Sequence, residues 1–219
     1  MERVLEPELM EDERQSLAYA KADFSTSNQL FVDGLRHDFP QRLRTAVDIG
    51  CGPGDVMVRL ARALPDLEII AIDGSAPMVT LARDAVLIAG VGERVTVVQG
   101  YVPGVALDAH SFDAVLSKDL LHHVPDPSLL WTEIARLARP GAVVYVMDLV
   151  RPATRDEAAR IVDRVAARED PILREDFFNS LCAAFTLDEL REQVAGAGLR
   201  LEVRQVGDRH ALVSGLTSP

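Results

Sequence analysis

Cysteine is almost absent: Cys51 and Cys182 are the only two in 219 residues and stand far apart. That scarcity argues against a disulfide framework and predicts reduced thiols. No apolar run approaches the roughly 20 residues that a bilayer span requires. Positive charge is also in short supply, with 23 Lys and Arg against 34 Asp and Glu and a formal net charge of −11. Such a balance repels a phosphate backbone, so nucleic acid is a disfavoured partner. Residues 1–15 carry Glu2, Glu6, Glu8, Glu11, Asp12 and Glu13. This is the opposite of a basic secretory start or an Arg-rich transit peptide, and a cytoplasmic location is expected. Internal repeats, low-complexity tracts and Gly/Ser linkers are lacking as well, which points to one domain over 1–219. Ser117 sits in no G-x-S-x-G elbow. His122, His123 and Asp126 show no metal-ligand spacing, so no metal is expected.

What is present is an alternation. Strand-like apolar runs fall at 45–49, 67–72, 95–98, 113–116 and 142–147. Helix-period segments at 56–63, 76–89, 128–138, 154–167 and 187–197 separate most of them. This order predicts a parallel α/β sheet. Residues 199–206 and 210–213 then form a closing hairpin around the turn Gly207-Asp208. The sequence divides into an N-terminal helical cap (1–43), a core (44–150), a helical insertion (151–186) and a C-terminal helix with hairpin (187–219). The stretch 7–37, holding Tyr19, Phe24, Asn28 and Phe31, reads as a helical preamble. The preamble and the insertion are either lids over a site, ordinary packing helices or a dimer surface.

The first strand is apolar except for Asp48 and runs into Gly50-Cys51-Gly52-Pro53-Gly54-Asp55 ahead of a helix. Glycines let backbone approach a ligand closely, and a helix N-terminus offers unpaired N–H groups. The second strand ends in Asp73, nineteen residues after Gly54. An acid there accepts both hydroxyls of a ribose, so the pair of features predicts an adenosine-containing ligand. The spacing is G-x-G-x-G, not the G-x-G-x-x-G of dinucleotide folds, and Asp55 would face a pyrophosphate unfavourably. Asp48 suits a ligand that carries an ammonium group. The charge logic thus favours S-adenosylmethionine over a nicotinamide dinucleotide.

These residues resemble the class I S-adenosylmethionine-dependent methyltransferases, and within them the ubiquinone/menaquinone-biosynthesis-like group. Val47-Asp48-Ile49-Gly50-Cys51-Gly52-Pro53-Gly54 looks like the first motif and Ile72-Asp73-Gly74-Ser75-Ala76-Pro77-Met78 like the second. The similarity continues through Phe112-Asp113-Ala114-Val115-Leu116-Ser117, Leu121-His122-His123-Val124-Pro125-Asp126-Pro127 and Arg139-Pro140-Gly141-Ala142, about residues 44–150. The resemblance implies a Rossmann-like seven-stranded, mostly parallel sheet with helices on both faces and an antiparallel C-terminal hairpin. It also implies cofactor at the carboxyl edge: Asp48, Gly50, Cys51 and Gly52 near the methionine part, Asp73 at the ribose, Gly74 and Met78 at the adenine. After the third strand the family often places an acid near the adenine amine. Here Gly100-Tyr101-Val102 stands instead, leaving Tyr101 or backbone groups for that contact.

Ser117 and Lys118 are further candidate cofactor contacts; a Lys118–Asp119 pair with a purely structural role is the alternative. His122 and His123 follow the fourth strand, where the resemblance places the methyl group and the acceptor. A histidine, with its unperturbed pKa near 6.5, is a natural base for a hydroxyl or amine acceptor. The plainer reading is that one packs on the cofactor while the other orients backbone. Tyr19, Asp148, Arg151, Phe178 and His210 are the candidate acceptor-binding residues, Arg151 as a grip for an acid or as a surface arginine. The expected function is methyl transfer to a small molecule, with oligomerisation left open. Its rivals are a nucleotide-dependent oxidoreductase, a non-catalytic cofactor-binding protein, and a protein or tRNA methyltransferase.

Overall fold

Apolar runs bounded by turn residues become strands, and their order along the chain decides where a cleft can open. In the computed structural model, which describes residues 1–6 and 9–218, seven strands form one sheet. They are β1 (Thr45–Ile49), β2 (Glu68–Asp73), β3 (Val95–Gln99), β4 (Phe112–Lys118), β5 (Ala138–Leu149), β6 (Glu202–Val206) and β7 (His210–Leu216). The spatial order is β3-β2-β1-β4-β5-β7-β6. β1 pairs in parallel with β2 and β4, β2 with β3, and β4 with β5. β7 runs antiparallel to both β5 and β6. The chain leaves β1 toward β3 on one side and returns to β4 on the other. The carboxyl ends of β1 and β4 therefore flank the switch point, the place where an open α/β sheet receives ligands.

The helices are α1 (Glu13–Lys21), α2 (Ser25–Asp38), α3 (Asp55–Ala63), α4 (Ala76–Ala89), α5 (Pro127–Leu137), α6 (Arg155–Val165), α7 (Pro171–Ala183) and α8 (Leu187–Gly196). Alternation along β5 feeds both faces of the sheet. Val143, Tyr145 and Met147 join the core built with Phe31 and Leu35 of α2, Leu60 of α3 and Val79 of α4. Val144 and Val146 join the opposite core with Trp131 of α5 and Leu190 of α8. The buried Trp131 indole donates to Gln193 Oε1 at 3.0 Å, so its polar atom is satisfied. A satellite cluster under α6 and α7 contains Leu149, Val162 and Leu181.

Several boundaries differ from those read in the sequence. β4 and β5 are longer than 113–116 and 142–147, β6 starts at Glu202 and not 199, and β7 extends to Leu216. The helix expected over 154–167 ends at Val165, and Asp170 caps a second helix by accepting the Ile172 N–H at 2.9 Å. The preamble expected over 7–37 begins with Pro7 and Glu8, outside the described residues, and its helices start only at Glu13. Residues 1–6 and 9–12 run instead as an irregular strap. Met10 has a positive φ of 52°, and its carbonyl accepts from the hydroxyls of Ser16 and Ser75 at 2.7 and 2.8 Å. These side chains fix a bend, and Asp12 then opens α1 by accepting the Gln15 N–H.

Candidate active site

At the switch point β1 turns into Gly50-Cys51-Gly52-Pro53-Gly54 and then α3. The Gly50 and Cys51 N–H groups bond the Ile72 carbonyl at 2.8 and 2.9 Å, tying the turn to the end of β2. Gly50 has φ +77°, and a Cβ there would sit 2.8 Å from the Leu120 side chain. Only glycine allows this approach of the turn to the loop after β4.

Asp73 closes the turn from the other side. Its carboxylate accepts from Gly52 N at 2.8 Å and Ser75 N at 2.9 Å. An ionised carboxylate has about four acceptor sites, so these two bonds leave it able to accept more. Burial pushes its pKa up, and the backbone donors work against that rise. Asp48 is buried, and its Oδ2 has no hydrogen-bond partner. Burial, then the charge of Asp73, pushes its pKa up to about 7, while Lys118 opposes the shift.

A cavity of about 570 Å³ opens here. Of the residues expected to hold a cofactor, Asp48, Gly50, Cys51, Gly52 and Asp73 line it, as do Gly74, Met78, Tyr101 and Lys118. Tyr101 stands directly against Gly74, where a Cβ would lie 2.8 Å from its ring. Ser117 is the exception. It is fully buried, and its hydroxyl donates to the Ile49 carbonyl at 2.8 Å, joining β4 to β1 instead of reaching the cavity. Lys118 pairs with Asp119, as the structural alternative had it, and both also line the cavity. Burial opposes charge on Asp119, yet Lys118 and His210 outweigh it and hold its pKa at about 2.

The two histidines of the 3-10 turn Leu121–His123 face different ways. His123 lines the cavity, and its Nδ1 lies 3.1 Å from the Glu6 carbonyl. Burial and the adjacent His122 depress its pKa to about 3, so it is neutral at ordinary pH. His122 lies behind the wall with Nδ1 2.6 Å from Asp148 Oδ1. Burial opposes charge on it, but Asp148 outweighs burial and raises its pKa.

The expected acceptor contacts divide. Tyr19 lines the cavity with its ring 4.7 Å from that of Phe24; burial, then Asp119, raises the pKa of its phenol. Asp148 is not on the wall, because its carboxylate is taken by His122 and by the N–H groups of Leu121 and Leu149 at 2.7 Å each. Arg151 is neither a cavity grip nor a surface arginine. It is a buried tie to Glu189 of the α8 capping box at 2.6 Å and to the Ala184 carbonyl. Phe178 packs in the satellite cluster under the Arg155 guanidinium. His210 is buried with Nε2 3.7 Å from Asp119, behind the cavity.

Sequence reasoning missed the strap. Leu9 and Met10 line the cavity. Arg3 donates to the carbonyls of Ala183, His122 and Val124 and stacks 3.9 Å above the Phe185 ring. A basic residue in an acidic run was the only available signal. The cavity floor is extended by Asn28, which donates to Asp55 at 2.7 Å.

The glycine turn, Asp73 and the cavity thus meet at the switch point of a doubly wound sheet, where open α/β sheets receive ligands. A family model described as a methyltransferase domain matches residues 47–146, from β1 to β5. Demethylmenaquinone methyltransferase of Roseiflexus castenholzii is 32% identical over 113 residues, 52% of this chain and 46% of the relative. Ubiquinone biosynthesis O-methyltransferase of Xanthomonas axonopodis pv. citri is 31% identical over 156 residues, 71% of this chain and 62% of the relative. The chain thus spans about half the length of the curated relatives it matches. A solved S-adenosylmethionine-dependent methyltransferase from Aquifex aeolicus superposes with a TM-score of 0.73 over 94% of this chain and 98% of that one. At 19% identity that likeness speaks for the fold alone.

Proposed function

We propose that the protein transfers a methyl group from S-adenosylmethionine to a small-molecule acceptor. The observation that carries this reading is the buried, unpartnered Asp48 Oδ2 in the same cavity as the glycine turn and Asp73. The donor set fits the cofactor: Asp48 for its ammonium, Asp73 for the ribose hydroxyls, Tyr101 and Gly74 beside the adenine. When bound, the cofactor supplies an electrophilic methyl on a sulfonium. The protein's part is to hold the acceptor close and in line. Neutral His123 forms part of the wall on the acceptor side of the cavity and shapes it. His122, clamped by Asp148, acts as a positioning residue for the turn. Tyr19 and Phe24 keep water from the reacting groups.

The carboxylates of Asp48, Asp73 and Asp119 favour a neutral or cationic acceptor over an anionic one. The net charge of −11 speaks against RNA, and Asp55 on the cavity wall would repel the pyrophosphate of a dinucleotide. No helix among the described residues is long and apolar enough to cross a membrane.

Calorimetry with S-adenosylmethionine, S-adenosylhomocysteine and both nicotinamide dinucleotides tests the reading. Selective binding of the first two, weakened at least tenfold in Asp73→Ala by loss of charged hydrogen bonds of about 1.5–3 kcal/mol, supports it. Binding of a dinucleotide alone, or full affinity in folded Asp73→Ala, overturns it. Selective cofactor binding without methyl transfer across a broad acceptor panel would favour a non-catalytic cofactor-binding protein.

A further inference from the structure

Glu6, His122 and His123 bring one potential ligand atom each to within 4.8 Å of one another. The three come from two separate pieces of chain. His122 and His123 belong to the turn after β4, whereas Glu6 belongs to the N-terminal strap. The imidazole rings lie 4.0 Å apart between centroids, tilted by 41° to one another. Each ring already uses Nδ1: His122 toward the Asp148 carboxylate at 2.6 Å, His123 toward the Glu6 carbonyl at 3.1 Å. That is the orientation typical of metal-binding histidines. The outer N–H is donated to a carboxylate or carbonyl, which fixes the tautomer and leaves Nε2 as the donor atom. Glu6 is itself oriented, since its Oε2 accepts from the Ser180 hydroxyl at 2.9 Å.

We propose that Glu6, His122 and His123 form a binding site for a divalent transition-metal cation of the zinc type, one that fastens the strap to the turn beside the cavity. Two imidazoles and one carboxylate are a donor set that such ions take, with room for a fourth ligand. Bonds of 2.0–2.2 Å place tetrahedral ligand atoms about 3.3 Å apart, so a modest side-chain contraction completes the site. Because His123 also lines the cavity, the cation sits at its wall. Nearby, Arg3 already bonds the carbonyls of His122 and Val124, so a bound cation adds a second fastening to a contact that exists without it.

The site does not depend on the methyltransferase reading, and the test keeps the two apart. Chelator-treated full-length protein is titrated with Zn2+ by calorimetry and with Co2+ by visible absorption, while S-adenosylhomocysteine affinity is measured on the same samples. The expected result is one ion per chain, a cobalt spectrum of low-symmetry nitrogen and oxygen ligation, and at least tenfold weaker binding in Glu6→Gln and in His123→Gln. His122→Ala is avoided because it strands the buried Asp148 carboxylate. Zn2+ is also expected to slow proteolysis of the strap in the wild type and not in Glu6→Gln. Absence of binding at 1:1 stoichiometry overturns the proposal, as does wild-type affinity in the two variants, whatever the cofactor titration shows. Binding without strap protection overturns the fastening role.

Discussion

Asp48 offers a test in which the direction and the size of the effect both follow from burial. Without ligand its pKa stands at about 7, raised chiefly by burial. A cofactor ammonium placed against it requires the ionised form. The cofactor's own amino group, with a pKa of about 8, stays charged over the acid range. If only ionised Asp48 binds, the competent fraction is about 3% at pH 5.5 and about half at pH 7, so affinity should rise about sixteenfold across that interval. Calorimetry in two buffers of different ionisation enthalpy would also register the proton released on binding. Asp48→Asn should flatten the profile and bind roughly ten- to a hundredfold more weakly at pH 7, the loss of one charge-assisted hydrogen bond. A flat wild-type profile between pH 5.5 and 7, or an unchanged slope in Asp48→Asn, would refute the reasoning. For stability the sign is opposite. A carboxyl whose native pKa is raised from 3.8 to about 7 favours the native state below about pH 4, and that contribution is lost as pH rises through about 7. The unliganded protein should therefore melt at lower temperature across this window, and less steeply so in Asp48→Asn.

Gly54→Ala places a Cβ 2.5 Å from Met57 Cε and 3.2 Å from the Ala82 backbone at φ +94°, and should cost about 1–3 kcal/mol in urea unfolding; an unchanged midpoint would contradict the described turn. His123→Ala should leave cofactor affinity intact and lower kcat, whereas a loss of affinity with kcat preserved would move His123 out of the acceptor pocket. His122→Ala leaves the Asp148 carboxylate without its buried partner and should destabilise the fold by about 3 kcal/mol or more; full stability would show that the pair is dispensable.

The sheet, and the meeting of the glycine turn with Asp73 at one cleft, were legible because both are written locally. Strand period, a glycine turn and an acid at the end of the next strand need no long-range information. The acceptor end was not. Arg151 looked like a grip because only the folded chain brings Glu189 of a distant helix to it. Phe178 sits on a helix whose start depends on the Asp170 cap, and which turns that ring into the satellite cluster. The strap has no periodicity at all. Its contacts are with residues far along the chain, such as Arg3 to His122 across 119 residues. Ser117 was misassigned for a simpler reason: a strand places alternate side chains on opposite faces, and its hydroxyl serves the neighbouring strand.

The sheet order also bears on how the chain is made. β5 is flanked by β4, which precedes it, and by β7, which is synthesised more than sixty residues later. β6 emerges first but cannot close the gap, because β7 lies between it and β5. A nascent chain thus carries an open, strongly apolar strand edge until residues 210–216 leave the ribosome, and such an edge is a template for wrong pairing. The acidic surface, with its mutual repulsion, acts as a safeguard during that interval, and interrupted synthesis short of β7 should yield aggregates and not a smaller folded domain.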